Sequence, residues 1–281
     1  MDLKTFCERY GLKLETVKQE IDAIKKRDKS SDEAAFNEWK RANRGTLSIV
    51  KKGKELGALY LFTEHVPARD TEEYKRDESF RLFFLVLPGA EDEPPALAFL
   101  KTTKSILAQI FAEEPKAFQG FVFNKAFVTK GDRLNWINAA KDSKGVPLWE
   151  LKDIEVDNKD IHEMLKYVAN PSEDYYDEWQ EKEKDYRFNV LCYFHVTDVR
   201  EFTTKAGKDC VSYTLADNVD QTSLLDLELV DWEKELPIFD KYENILVYNG
   251  FMKQTLENED KLVVAWSDKC PIYLARCPTP Y

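Results

Sequence analysis

A chain of 281 residues is long enough for two ordinary domains, and its 17 Phe, 13 Tyr and 6 Trp supply material for two cores. The formal net charge of −11 argues against a general polyanion binder, whose nonspecific affinity comes from neutralising phosphates with a basic surface. No apolar run approaches the roughly 20 residues of a membrane span, and the N-terminus MDLKTFCERYGLK lacks the apolar stretch of a signal peptide. The five cysteines are odd in number and include no CxxC pair, so the expectation is a soluble intracellular protein with free thiols and no membrane partner. The acid is concentrated: residues 150–185 carry 5 Lys and Arg against 13 Asp and Glu, and residues 186–281 carry 10 against 16.

Taken in chain order, residues 1–45 read as helical. Leu14, Val17, Ile21 and Ile24 recur at helical spacing, and the polar stretch Asp28 to Asp32 separates them from a second helix, Glu33 to Arg44. The segment is expected to brace the domain that follows; its alternative role is to bind a partner or DNA. Residues 46–149 read as a first domain, with strands at Leu47–Glu64, Ser79–Leu87 and Ala96–Leu100, a helix near Thr103–Ala112, and strands at Ala117–Thr129 and Arg133–Ala139. Its loop Pro67 to Glu78 is long and polar. Residues 150–185 form an acidic linker, helical from residue 158 with Ile161, Leu165 and Val168 on one face, broken at Asn170 and Pro171, and followed by EDYYDEWQEKEKD.

Residues 186–281 repeat the order of the first domain more clearly. A long alternating strand, Val190–Phe202, leads through the hairpin TTKAGKD to a strand Cys210–Ala216 and a turn Asp217–Gln221. A strand Ser223–Leu229, a helical connection Trp232–Tyr242 and a closing pair, Ile245–Gln254 and Leu262–Ser267, complete it. Long first strand, meander, helix between the third and fourth strands and closing strand are the order of an oligonucleotide/oligosaccharide-binding (OB) barrel. The ends of the two domains align as well, GFVFNKAFVT-KGD-RLNWINAAKD against YNGFMKQT-LENED-KLVVAWSDK, as divergent duplication would leave them. The expected fold is therefore mainly β with helices: two tandem OB-fold five-stranded barrels plus N-terminal and linker helices. The commonest ligand of such a barrel is single-stranded nucleic acid.

Catalytic signatures are lacking in the sequence. His65, His162 and His195 are far apart and outside any metal-ligand spacing, and neither a phosphate-cradling glycine loop nor a GxSxG elbow is present. The expectation is a binding protein rather than an enzyme, without metal or small-molecule cofactor.

The stretch REFTTKAGKDCVSYTLAD, Arg200 to Asp217, resembles the first hairpin of the single-strand-binding barrels of the protection-of-telomeres family. There an aromatic and basic strand end runs into a lysine-rich hairpin with a Gly-x-Asp step and a strand closing on Asp. The resemblance covers the second barrel, and the first only through the tandem arrangement; short, diverged nematode members are the nearest in size. It implies a nuclear protein at chromosome telomeres that binds and caps single-stranded telomeric DNA alongside other telomere proteins. The hairpin would act as a clamp, with Lys205 and Lys208 reaching phosphate and Asp209 either accepting from a base-edge amine or bracing the loop. Phe202 and Tyr213 are candidate stacking surfaces, and Arg200 would stack on a base or contact phosphate. Tyr213 also fits the inward set of its strand, between Val211 and Leu215. Lys253 and Lys261 are placed to be outside and basic. In the first barrel, Phe121, Phe123, Lys125 and Phe127 share one face of a strand, which is either core or a stacking platform extended by Arg133 and Asn135. That barrel lacks a KxGKD hairpin, which leaves a second role open: a tandem-barrel adaptor acting through protein contacts in a telomere, replication or repair complex.

Overall fold

The computed structural model describes residues 3–4, 7, 12–43, 54–71, 75–89, 93–111, 115–131, 134–169, 191–216, 227–232, 234–249, 251–254, 262–266 and 271–279. It is mainly β, with two curled, barrel-like sheets and four helices among the described residues. The first two helices, α1 (Leu14–Asp28) and α2 (Asp32–Ala42), fall where the periodicity placed them. Lys29 ends α1 in the left-handed region at φ 48, and the Ser31 side chain caps α2 by accepting from Ala34 N. Their buried residues, Val17, Ile21, Ala35 and Trp39, cluster with Cys7 and with no residue of either sheet. Among the described residues the pair thus builds a small core of its own, where a brace on the first sheet was expected.

The first sheet contains β1 (Lys54–Val66), β4 (Ser79–Val86), β5 (Ala96–Thr102), β6 (Gly120–Thr129), β7 (Asn135–Asn138) and β8 (Trp149–Leu151). Strand β1 pairs antiparallel with both β4 and β6, β5 runs parallel to β7, and β7 is antiparallel to β6, so the sheet curls back on itself. Helix α3 (Lys104–Ile110) lies between β5 and β6 in the chain. The expected polar loop from Pro67 to Glu78 carries a two-residue ladder, β2 (Arg69–Asp70) with β3 (Lys75–Arg76).

The second sheet repeats this pairing with β9 (Leu191–Thr203), β10 (Asp209–Ala216), β11 (Leu227–Asp231), β12 (Asn244–Tyr248), β13 (Phe251–Gln254), β14 (Leu262–Ala265) and β15 (Tyr273–Arg276). Strand β9 pairs with β10 and β12, β11 is parallel to β14, and β13 is antiparallel to β14. The expected strand Ile245–Gln254 is divided between β12 and β13, with Asn249 between them at φ 66. Both sheets also carry a short extra strand at the same place: β8 flanks β6 and β15 flanks β12, on the side away from the long first strand.

One expected helix is not formed. Residues 232 and 234–243 run as bends and turns between β11 and β12. The Asp231 carboxylate accepts from Glu235 N and Leu236 N, both at 3.1 Å, Lys234 sits at φ 54, and Pro237 follows. A left-handed residue and a proline within four positions deny the segment a helical turn, and Phe239 is instead buried against Tyr213.

The two sheets share an apolar seam. Leu59, Leu61, Phe62, Phe83 and Leu85 of the first form one cluster with Leu191, Tyr193, Leu246 and Tyr248 of the second, and with Ile161 and Leu165 of α4 (Asn158–Val168). The Phe83 and Tyr248 rings lie 4.6 Å apart and the Phe62 and Phe83 rings 4.9 Å. This explains why SFRLFFLV and NILVY are almost continuously apolar: β4 and β12 have one face in a sheet's interior and the other in the seam. His162 of α4 fastens the edge. A carbonyl only accepts, so its Nε2–H donates to Pro278 O at 2.7 Å, and in the neutral ring Nδ1 accepts from the Tyr193 hydroxyl, also at 2.7 Å. Asn158 Nδ2 donates to Thr279 O alongside.

Candidate nucleic-acid interface

The hairpin between β9 and β10 closes on the pair Thr203 and Asp209. Thr204 N donates to Lys208 O at 2.8 Å, Lys208 N to Thr204 Oγ1 at 3.0 Å and Gly207 N to Thr204 O at 2.9 Å. Gly207 takes φ +81, a conformation that side chains resist, which is the local reason for a glycine here. Asp209 accepts from Thr203 Oγ1 at 2.7 Å, which braces the hairpin, and its side chain is exposed. Lys205 and Lys208 are both exposed.

Outward positions at the same end of the sheet gather an aromatic and cationic cluster. The Arg200 guanidinium lies over the Phe202 ring at 5.2 Å from its centroid, and Phe202 meets Trp232 edge to face at 6.0 Å. Trp232 is 47% exposed. Arg200 Nη2 also reaches Glu228 Oε1 at 3.5 Å, with Glu228 itself buried and bonded to the Ser212 hydroxyl. A guanidinium held between a carboxylate and a ring is pre-aligned for stacking, the geometry in which Arg differs most from Lys. Lys234 stands near Glu201 at 3.9 Å beside this cluster.

Two sequence candidates face the other way. Tyr213 is 1% exposed within the core of the second sheet, with Phe239 against its ring, so it offers no surface to a ligand. Desolvation pushes its hydroxyl upward from the ordinary tyrosine value, as expected of a buried phenol. Phe123 is likewise 1% exposed and packs in the core of the first sheet. The reason is a change of parity: Lys125 sits at φ 53, so Phe121 and Phe123 point inward before it and Ala126 and Val128 point inward after it. The aromatic set is therefore split, and Phe121 and Phe123 take the core alternative rather than forming a stacking platform. Lys125 itself is exposed at the break. Lys253 lies on β13 opposite Val263, while Arg133 and Lys261 fall outside the described residues.

Trp232 is run into a helical connection by the sequence pattern and so is not singled out as a candidate. Its signal was its place one residue after an apolar strand whose alternation leaves it on the face of Val230.

No family model matches the chain, and no curated protein matches it. Solved structures similar to it include p202 HIN1 in complex with 12-mer dsDNA, at 13% identity over 80% of this chain and 93% of that one, with TM-score 0.34. Fission yeast Pot1 with ssDNA is 8% identical over 84% of this chain and 88% of its own, with TM-score 0.23. The single-stranded DNA binding protein from Thermus aquaticus, a deletion mutant, is 13% identical over 82% and 97%, with TM-score 0.23. At scores this low, function has to be read from the surface of this chain itself. Among its described residues no group of His, Cys, Asp and Glu is arranged to hold a metal ion, and no helix is long and apolar enough to cross a membrane.

Proposed function

We propose that this protein binds single-stranded DNA, its two curled sheets acting as tandem five-stranded OB barrels and the β9–β10 hairpin as the clamp. The observation that carries this is the outward cluster of Arg200, Phe202 and Trp232 beside the exposed Lys205 and Lys208. Rings and a guanidinium accept bases by stacking, worth ~1 to 3 kcal/mol per base, while the lysines meet phosphate. With only two or three phosphates engaged, affinity would fall with salt at a slope of roughly −1.4 to −2.1 in log units, shallow for a DNA binder. That suits a chain of net charge −11, which must gain its affinity from bases. The resemblance of the hairpin to telomeric barrels supports the finer role: recognition of single-stranded telomeric DNA in the nucleus, protecting chromosome ends with other telomere proteins and without catalysis.

The test is fluorescence anisotropy of the full chain with G-rich telomeric, C-rich telomeric, scrambled single-stranded and duplex oligonucleotides at low and physiological salt. Tight binding to one telomeric strand with a shallow slope is the expected result; equal binding to scrambled strands removes the telomeric role, and no binding removes the DNA role. One observation favours the adaptor instead: a groove of about 590 Å³ between the first sheet and the segment after β8, whose lining includes Glu55, Glu93, Asp153 and Glu155. Its acidity fits a basic peptide rather than nucleic acid, and failure of every oligonucleotide to bind would direct the search there.

A further inference from the structure

A different groove, of about 490 Å³, opens on the outer face of the first sheet where β4, β5 and β7 run side by side. Arg81, Lys101 and Lys141 line it together with Phe99 and Trp136, and no Asp or Glu is among its lining residues. In a chain with 52 acidic against 41 basic residues, a concavity lined by Lys101 and Lys141 and by no acid, with Arg81 already paired to Glu64 of β1, makes an anion-seeking surface. Register explains the gathering. Arg81 pairs with Lys101 across β4 and β5, and Phe99 with Trp136 across β5 and β7, so all four project to one side.

The aromatic part is built as well as placed. The Arg81 guanidinium lies over the Phe99 ring at 5.3 Å and is held at 3.1 Å by Glu64, its cross-strand partner on β1. Trp136 meets Phe99 edge to face at 6.1 Å and remains 42% exposed. Asp142, next in sequence to Lys141, is engaged in its own turn, where its carboxylate accepts from Lys144 N and Val146 N. A volume of this size admits a ligand of a few rings, and an exposed indole with flanking cations matches a nucleotide: base on ring, phosphate on ammonium.

We infer that this groove is a second single-strand site, in which Trp136 stacks a base and Lys101 and Lys141 contact the adjoining phosphates. Neither Lys125 nor the hairpin of the second sheet lines it. The inference rests on the single-stranded DNA role proposed above, and it makes the protein a two-site binder whose affinity rises when one strand is long enough to reach both sheets.

The experiment uses the full chain and a labelled single strand of about 24 nucleotides, longer than the ~4 to 16 that one OB barrel covers. Wild type, a groove variant (Lys101→Glu with Lys141→Glu), Trp136→Ala, a hairpin variant (Lys205→Glu with Lys208→Glu) and the groove and hairpin changes combined are titrated. In parallel, a 5-iodouracil-bearing strand is photo-cross-linked to wild type and the adducts are mapped by mass spectrometry. The groove variant and Trp136→Ala should each weaken binding about tenfold or more, the hairpin variant should keep a residual affinity that the groove changes remove, and adducts should fall on both sheets. Wild-type affinity in the groove variant and Trp136→Ala, with adducts confined to the second sheet, overturns this inference and leaves the proposed function standing. Absence of binding by wild type overturns both.

Discussion

The outward faces of the two sheets have met opposite fates. Both sheets share a pairing order and a short extra strand in the same place, yet much of the outer face of the first, Leu59, Leu61, Phe62, Phe83 and Leu85, is covered by the second. On the second, the end beside the hairpin carries Arg200, Phe202 and Trp232 in the open. One topology therefore supplies a structural seam in one place and a candidate ligand surface in another. The difference lies in which residues occupy the outward parity of each strand, and topology alone says nothing of it.

The seam should give the largest effect when broken. Leu246→Ala or Leu165→Ala removes a fully buried side chain from the cluster that joins the sheets and should cost about 2 to 5 kcal/mol, lowering the denaturation midpoint of both sheets together. Separate transitions, with only one sheet weakened, would show that the two fold independently of the seam.

Next in size comes the open face. Trp232→Ala should weaken single-strand binding by ~1 to 3 kcal/mol, about 5- to 150-fold, with a smaller loss of stability than the seam variants, because Trp232 is 47% exposed and packs edge to face on Phe202. Tyr213→Phe serves as the inward control, and its affinity should match wild type. If Tyr213→Phe weakened binding as strongly as Trp232→Ala, the assignment of inward and outward faces would be wrong.

A smaller and more gradual effect is expected from alkali. Burial holds the Cys277 thiol above its ordinary value of 9.0 and the Tyr193 and Tyr248 hydroxyls above 10.0. Their folded-state values are raised, so the unfolded chain loses these protons first. Stability is therefore intact below pH 9 and declines as pH rises from about 9 through the range where the unfolded groups ionise. Urea titrations at stepped pH check this. Stability that stayed level to pH 11 would mean the seam groups ionise as easily folded as unfolded.

Much of this architecture was legible because strands and hairpins are local. The alternation from Leu191 to Phe202, the TTKAGKD turn and the closing strand from Leu262 all appear where residue pattern put them. What was hidden depends on single backbone departures or on the distant partner. Lys125 at φ 53 reverses the parity of β6, so strict alternation misassigned Phe123. The Asp231 carboxylate and Lys234 at φ 54 replace a helix with turns, which moves Trp232 from a helical connection to the open face. Strands β8 and β15 span only three and four residues, too short for periodicity to register. The seam left a trace in the apolar runs of β4 and β12, but a run buried on both faces does not say what buries it. Arg81 and Trp136 belong to no motif. Pairing across β4, β5 and β7 brings them together, and only the fold contains that information.

The most direct measurement is a paired titration of wild type and Lys205→Glu with Lys208→Glu against single-stranded telomeric DNA at physiological salt, with thermal melts of both proteins. Both lysines are exposed, so the melts should superimpose while the variant's affinity drops about tenfold or more and the salt slope of what remains shrinks by roughly 1.4 log units. Equal affinity in the two proteins, with superimposed melts, would contradict the hairpin clamp.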